Sequence, residues 1–172
     1  MRTILKKKFL INLAIFLLFI NPANSETLFG KAIVIDGDTI VLEKKKIRLH
    51  GIDAPEKKQI CKRNYLSISF FTFTKNYQCG LVSKVKLENL LKNNEIKCII
   101  RGNDFYNRKI GTCYRNKINI NSWMVRNGYA VAYEKYSKKY KSVELEAKKN
   151  NLGIWQGDFD MPWDWRKNRV QN

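Results

Sequence analysis

From residue 28 onward the chain is cut into short β-branched runs by turn residues, and that punctuation limits the folds open to it. Leu28 to Ile35 is apolar and β-branched, and it stops at Asp36-Gly37-Asp38. Thr39 to Glu43 resumes the strand character and Lys44-Lys45-Lys46 makes a solvated turn. Ile47-Arg48-Leu49-His50 then alternates apolar with polar, as a half-buried strand does. Ala54 precedes Pro55, which favours extended backbone and ends the strand there. Further along, Glu95 to Arg101 and Lys109 to Tyr114 read as strands on either side of the turn Gly102-Asn103-Asp104.

Helical stretches are fewer. Gly80 to Lys92 carries Leu81, Val82, Val85, Leu90 and Leu91 at helical spacing, and Ile118 to Asn127 makes a short helix closed by Gly128. Tyr129 to Tyr133 reads as extended. Tyr136, Tyr140, Val143 and Ala147 form the stripe of an amphipathic helix capped by Asn151 or Gly153. Residues 57–79, polar and aromatic between two cysteines, read as a long loop with some helix, and residues 158–172 read as a basic tail with Trp163 and Trp165. Five or six short strands with a few helices predict an α+β chain built as a small OB-type, five-stranded β-barrel with about three packed helices. Periodicity alone does not separate that barrel from other α+β folds. No repeat and no low-complexity linker interrupts the chain, so one domain is expected over residues 26–172.

Residues 1–25 do not belong to that pattern. Arg2, Lys6, Lys7 and Lys8 precede an apolar run from Phe9 to Ile20, then Asn21-Pro22 and the small-residue stretch Ala23-Asn24-Ser25. The run is about 12 residues, short of the roughly 20 needed to span a bilayer. This predicts a cleavable signal peptide and a secreted or periplasmic protein, with no stable membrane insertion after processing. The alternative is an uncleaved anchor that tethers the same domain outside the cytoplasm. Cleavage would remove four cations and no acids from 33 Lys and Arg and 15 Asp and Glu, leaving 29 against 15, or +14. A charge of that size favours polyanions, with nucleic acid, anionic membrane and cell wall all open as partners.

Four cysteines, Cys61, Cys79, Cys98 and Cys113, remain in the processed chain. With one histidine and no Cys-x-x-Cys pair they argue against a zinc site, and an even count in an exported chain points to disulfides. Three connectivities are open. Cys61–Cys79 with Cys98–Cys113 is favoured, because the second pair falls on opposite arms of the predicted hairpin.

Acidic residues are scarce, yet Asp36, Asp38, Glu43, Asp53 and Glu56 fall within 21 positions, a third of the 15 carboxylates. Singly, each has an ordinary explanation: Asp36-Gly37-Asp38 is a turn, and Asp53-Ala54-Pro55-Glu56 a loop leading to a helix cap. Together they are unusual, because a basic binder of polyanions gains nothing from carboxylates beside its ligand. A metal-assisted phosphodiesterase needs them, since hard divalent ions take oxygen ligands and polarise phosphoryl oxygens. Such a site also uses arginine forks on the phosphate, and Arg48 lies between the two acidic groups.

The blocks Ile35-Asp36-Gly37-Asp38-Thr39, Arg48-Leu49-His50-Gly51-Ile52-Asp53-Ala54-Pro55-Glu56, Asp104-Phe105-Tyr106-Asn107-Arg108 and Trp123-Met124-Val125-Arg126-Asn127-Gly128-Tyr129-Ala130 resemble the staphylococcal nuclease-like (thermonuclease) family. The Met161-Pro162-Trp163-Asp164-Trp165-Arg166 tail and the four cysteines are similar to its exported bacterial branch. The resemblance implies a monomeric, calcium-dependent endonuclease acting on DNA, with RNA as a further substrate. It implies that Asp38, Asp53 and the backbone carbonyl of Ala54 hold the calcium ion. Glu56 would orient or deprotonate the attacking water, and Arg48 and Arg108 would grip the phosphate. Tyr133 and Tyr136 would line the nucleotide pocket, where the spacing is one residue short of the family's. Asn107 stands where glycine is common, and asparagine tolerates the left-handed backbone a glycine there would adopt. The other reading is a non-catalytic nucleic-acid-binding OB-fold protein, since some relatives keep the barrel and lose these side chains.

Overall fold

In the computed structural model residues 26–170 are described, and the segment read as a signal peptide lies outside them. The first runs become β1 (Thr27–Lys31), β2 (Ile33–Asp36), β3 (Thr39–Leu42), β4 (Lys45–Leu49) and β5 (Ile52–Asp53). A two-stranded ribbon, β6 (Cys61–Ile68) and β7 (Phe71–Tyr77), leads into helix α1 (Cys79–Leu91). Then follow the hairpin β8 (Glu95–Asn103) and β9 (Lys109–Arg115), β10 (Ile118–Asn119), α2 (Ile120–Arg126), β11 (Val131–Ala132), α3 (Lys141–Lys149) and α4 (Pro162–Val170).

The main sheet runs in the order β1-β8-β9-β4-β3-β2, with β10 on β9. Its pairs are antiparallel except β4 with β9, so the sheet is mixed. It curls round a core that includes Ile40, Ile47, Leu49, Ile96, Met124 and, from α1, Leu87. This is the expected α+β, OB-type arrangement, with four helices among the described residues. The alternation read in the sequence sets the site directly: Ile47 and Leu49 point into the core, so Arg48 between them points away from it. Glu43 and Lys44 make the β3–β4 turn, with φ of 48° and 62°, one residue earlier than the lysine run suggested.

Three expectations are corrected, and the tail, for which no element was expected, gains one. Residues 57–79 hold the ribbon rather than a loop with helix. A bulge between Asn64 and Leu66 breaks the strand alternation, and the strand faces are mostly exposed, so the period-two signal of a half-buried strand is absent. The basic tail forms α4. Tyr136 does not belong to the helical stripe: α3 begins at Lys141, Tyr140 is buried just before it, and Tyr136 is exposed. The strands outnumber the five or six expected, because two-residue pairings such as β5 with β11 carry too little pattern to read.

Both disulfides are present with the favoured connectivity. Cys98 and Cys113 face each other across β8 and β9, with Cα atoms 4.1 Å apart. Cys61–Cys79 joins the base of the ribbon to the first residue of α1. Around that bond lies a second, smaller core: Val131 and Ile154 buried, with Tyr77, Trp155, Phe159, Met161 and Trp163 packed on it. Methionine and aromatic side chains of the tail therefore seat α4 against the body of the protein. Among the described residues no helix is long and apolar enough to cross a membrane.

Candidate active site

The acidic cluster is assembled by backbone turns that use the carboxylates themselves. Asp36 Oδ1 accepts from the Asp38 backbone N–H at 3.1 Å, which shapes the turn after β2. Asp38 Oδ2 accepts from the backbone N–H of Ala54 at 2.7 Å, and Asp38 Oδ1 accepts from the Thr39 hydroxyl. The two acidic segments are thus joined, though 16 residues apart in sequence. Gly37 is required by close packing: a Cβ there would meet Ser83 of α1 and the Ala54 side chain. Gly80, near the start of α1, likewise lets the Glu56 carbonyl come close, and a Cβ would collide with it. The Glu56 backbone N–H donates to the side-chain oxygen of the fully buried Gln59, 3.2 Å away.

Arg48 draws the cluster together. Its guanidinium forms ion pairs with Asp38 and with Asp53, the latter at 2.6 Å from Nη2 to Oδ1. Burial works against its charge and lowers its pKa, while the Asp53 contact opposes that fall. Asp53 is fully buried and Asp38 nearly so. An unpaired charge in such a position would cost several kcal/mol, about 3–5, so these carboxylates depend on cations. Burial raises the Asp36 pKa, partly offset by Thr39 and by the nearby charges of Arg48 and Arg108.

Arg108 stands at the edge of the cluster on the turn between β8 and β9. Asp104 Oδ1 accepts from the backbone N–H groups of Tyr106 and Arg108, both at 2.9 Å. Its Oδ2 takes Arg108 Nε at 2.7 Å. Desolvation alone would raise the Asp104 pKa, but these bonds outweigh it and hold the carboxyl below its usual range. Asn107 completes the turn at φ 58°, the left-handed conformation expected of it.

A fourth element enters from the tail. Arg166 of α4 donates from Nη2 to Asp53 Oδ2 at 2.7 Å, and from Nη1 to Asp53 Oδ1 at 3.1 Å and Glu56 Oε1 at 2.8 Å. Burial opposes its charge, but its bonds to Asp53 and Glu56 prevail and raise its pKa. Beside it, the Trp163 ring stacks on Tyr133 with centroids 5.3 Å apart and planes 10° from parallel. Tyr136 meets Tyr133 edge-on at 4.9 Å. The two tyrosines expected in a nucleotide pocket therefore form an aromatic group together with Trp163.

The expected residues thus fall into three groups. Arg48, Asp38 and Asp53 are in direct contact, and Ala54 joins them through its N–H. Glu56 is linked to Asp53 by way of Arg166. Arg108 is held by Asp104, close enough for its charge to act on Asp36 and Arg48. Sequence reading assigned no role to Arg166, Trp163, Gln59 or Asp104. Asp104 is four residues before Arg108 in the Asp-x-Tyr-x-Arg motif and Arg166 ends the Met161–Arg166 tail motif, which are usable signals, but neither motif says what its side chain would contact. Asp38 and Asp53 offer an all-oxygen donor set in one place, which suits a hard divalent cation. Among the described residues no three His, Cys, Asp or Glu side chains make a complete metal cluster, so backbone carbonyl and water would have to complete the shell.

Comparison with known proteins places the chain in a family. The family model described as "Staphylococcal nuclease homologue" matches residues 46–157, a stretch containing Arg48, Asp53, Glu56 and Arg108. The chain belongs to that family. It is 33% identical over 161 residues to "Succinoglycan biosynthesis protein ExoI" of Rhizobium meliloti (strain 1021), covering 92% of this chain and 80% of that protein. An "Uncharacterized endonuclease" of Haemophilus influenzae is 31% identical, covering 81% and 72% of the two chains. "Probable staphylococcal-like nuclease CAN2" of Oryza sativa subsp. japonica is 30% identical over 81% of this chain, which spans 34% of that longer protein.

Proposed function

We propose that the protein is an exported, calcium-dependent endonuclease that hydrolyses phosphodiester bonds of DNA and also of RNA. The observation that carries this reading is the convergence of Asp38 and Asp53 on the single buried guanidinium of Arg48. Two disulfides in the fold support a place outside the cytoplasm.

Asp38, Asp53 and the Ala54 carbonyl would hold the calcium ion. When bound, it supplies polarisation of a phosphoryl oxygen and offsets part of the phosphate charge. Glu56 orients a water for in-line attack and accepts its proton as the new O–P bond forms. The bond from phosphorus to the 5′ oxygen breaks on the opposite side, and that oxygen takes a proton from solvent, giving a 3′-phosphate and a 5′-hydroxyl. Arg48 and Arg108 present planar forks to the non-bridging oxygens, where charge accumulates in the transition state. Tyr133 and Tyr136 lie against the nucleoside next to the cleaved bond.

The test is digestion of DNA and RNA with calcium supplied and with a chelator in excess, followed by analysis of the product ends. Cleavage in calcium, loss of cleavage in chelator and 3′-phosphate ends are expected. Polynucleotides left intact in calcium would refute the activity, and cleavage that persists in chelator would refute the role of the ion.

A further inference from the structure

We propose that Arg166 is a positioning residue of the active site: it holds the Glu56 carboxylate in place by anchoring on Asp53, and it shares Asp53 with any bound cation. The proposal rests on the functional reading above. Glu56 is a long side chain, 35% exposed, and a free carboxylate there would sample several rotamers. Arg166 Nη1 fixes its Oε1 while bridging to Asp53 Oδ1, and Nη2 closes the fork on Asp53 Oδ2. A fork of this kind has a defined plane, so holding Asp53 defines where Glu56 is held.

The anchor itself is fixed. Gln59, whose side-chain oxygen holds the Glu56 backbone, donates from Nε2 to the Asp160 carbonyl at 2.7 Å, two residues before α4. Met161 and Trp163 pack on the core around Cys61–Cys79, and Trp163 stacks on Tyr133. The start of α4 and the Glu56 turn are therefore one connected unit.

Arg166→Ala separates this role from a merely structural one, because the two predict opposite signs. Loss of positioning should lower kcat about ten- to a hundredfold with KM for the nucleic acid changed less than about twofold. Removing a cation from Asp53 should at the same time tighten calcium binding several-fold, measured by titration calorimetry without substrate. Added methylguanidinium should restore part of kcat, and Lys167→Ala, one residue along the same helix, should alter none of these. Unchanged kcat overturns the proposal. So does a loss of kcat with weaker calcium binding, which would mean that α4 had come loose, or an equal effect from Lys167→Ala. If the unaltered protein binds no calcium, the metal reading fails on its own, and the kcat and methylguanidinium results still decide the role of Arg166.

The ribbon carries a second, independent inference. Its register puts Leu66, Ile68, Phe71 and Phe73 on one face, with Arg63 and Lys75 paired at that face's base. Phe70 at the tip is 98% exposed, and Phe71 is 73% exposed. Residues 64–74 carry no charge, and between Glu56 and Glu88 there are seven Lys and Arg and no acid. We infer that the ribbon docks into an anionic lipid surface, aromatic tip in the interface and basic base on the headgroups. The strong net positive charge opposes a second copy as occupant. A nucleic-acid strand would require cations among the aromatics rather than below them.

Flotation with vesicles settles the matter. The full chain should bind phosphatidylglycerol-containing vesicles and leave pure phosphatidylcholine vesicles free. The double substitution Phe70→Ser, Phe71→Ser should weaken that binding at least tenfold without lowering the melting temperature. No binding by the unaltered chain, or no loss in the variant, overturns the inference. So does a ribbon-dependent dimer, or a ribbon variant that loses oligonucleotide affinity instead.

Discussion

Glu56→Gln is expected to lower kcat by about two to four orders of magnitude, the usual contribution of a placed general base, while calcium and nucleotide affinities stay near their original values. The amide keeps the size of the side chain and one carbonyl oxygen, so Arg166 can still donate to it. The backbone bond to Gln59 and the close packing of Gly80 against the Glu56 carbonyl do not involve the carboxylate. The half-buried ion pair with Arg166 is kept in part by the amide oxygen and such pairs contribute only about 1 kcal/mol, so the melting temperature should hardly move. What the amide cannot do is take a proton from water. Single-turnover kinetics with saturating substrate measure this directly, and turnover within tenfold of the unaltered protein would remove Glu56 from the role.

This expectation comes from residues that were legible in the sequence, and the reason is physical. Asp38, Arg48, Asp53 and Glu56 sit on short strands and their turns, where alternation and turn chemistry fix both the element and the face. Ile47 and Leu49 enter the core, so Arg48 must leave it. Cys98–Cys113 was legible for the same reason, since it crosses one hairpin. The ribbon was not. Apart from Cys61 and Tyr77 at its base, its apolar residues meet no core, and burial is what makes a strand pattern readable. The contribution of the tail was hidden differently. Arg166 reaches Asp53 across 113 residues of sequence, and the contact exists because Met161 and Trp163 pack on a small core built around Cys61–Cys79. A local pattern cannot express a contact that depends on where a distant helix is seated. Its aromatic residues were visible, but their spacing did not say which basic neighbour would face inward.

Arg108→Lys should be nearly as severe as loss of Glu56, about a hundred- to a thousandfold in kcat, although the charge is conserved. Arg108 has two tasks that only a guanidinium can combine. Its Nε is held by Asp104 Oδ2, which fixes the plane of the fork, and the terminal nitrogens are then free to meet two phosphate oxygens. An ammonium has one nitrogen. Drawn to Asp104, whose carboxylate is 2.7 Å from the present Nε, it would be lost to the phosphate. Drawn to the phosphate, it would lose its orientation. The turn itself should survive, because Asp104 Oδ1 still accepts from the backbone N–H groups of Tyr106 and Arg108. The defect should therefore appear in kcat with stability unchanged. Asp104→Asn, which keeps an oxygen for the backbone but weakens the hold on Nε, should fall between the lysine variant and the unaltered protein. If the lysine variant lost less than about fivefold, Arg108 would be acting through its charge alone and the fork would have no part in the chemistry.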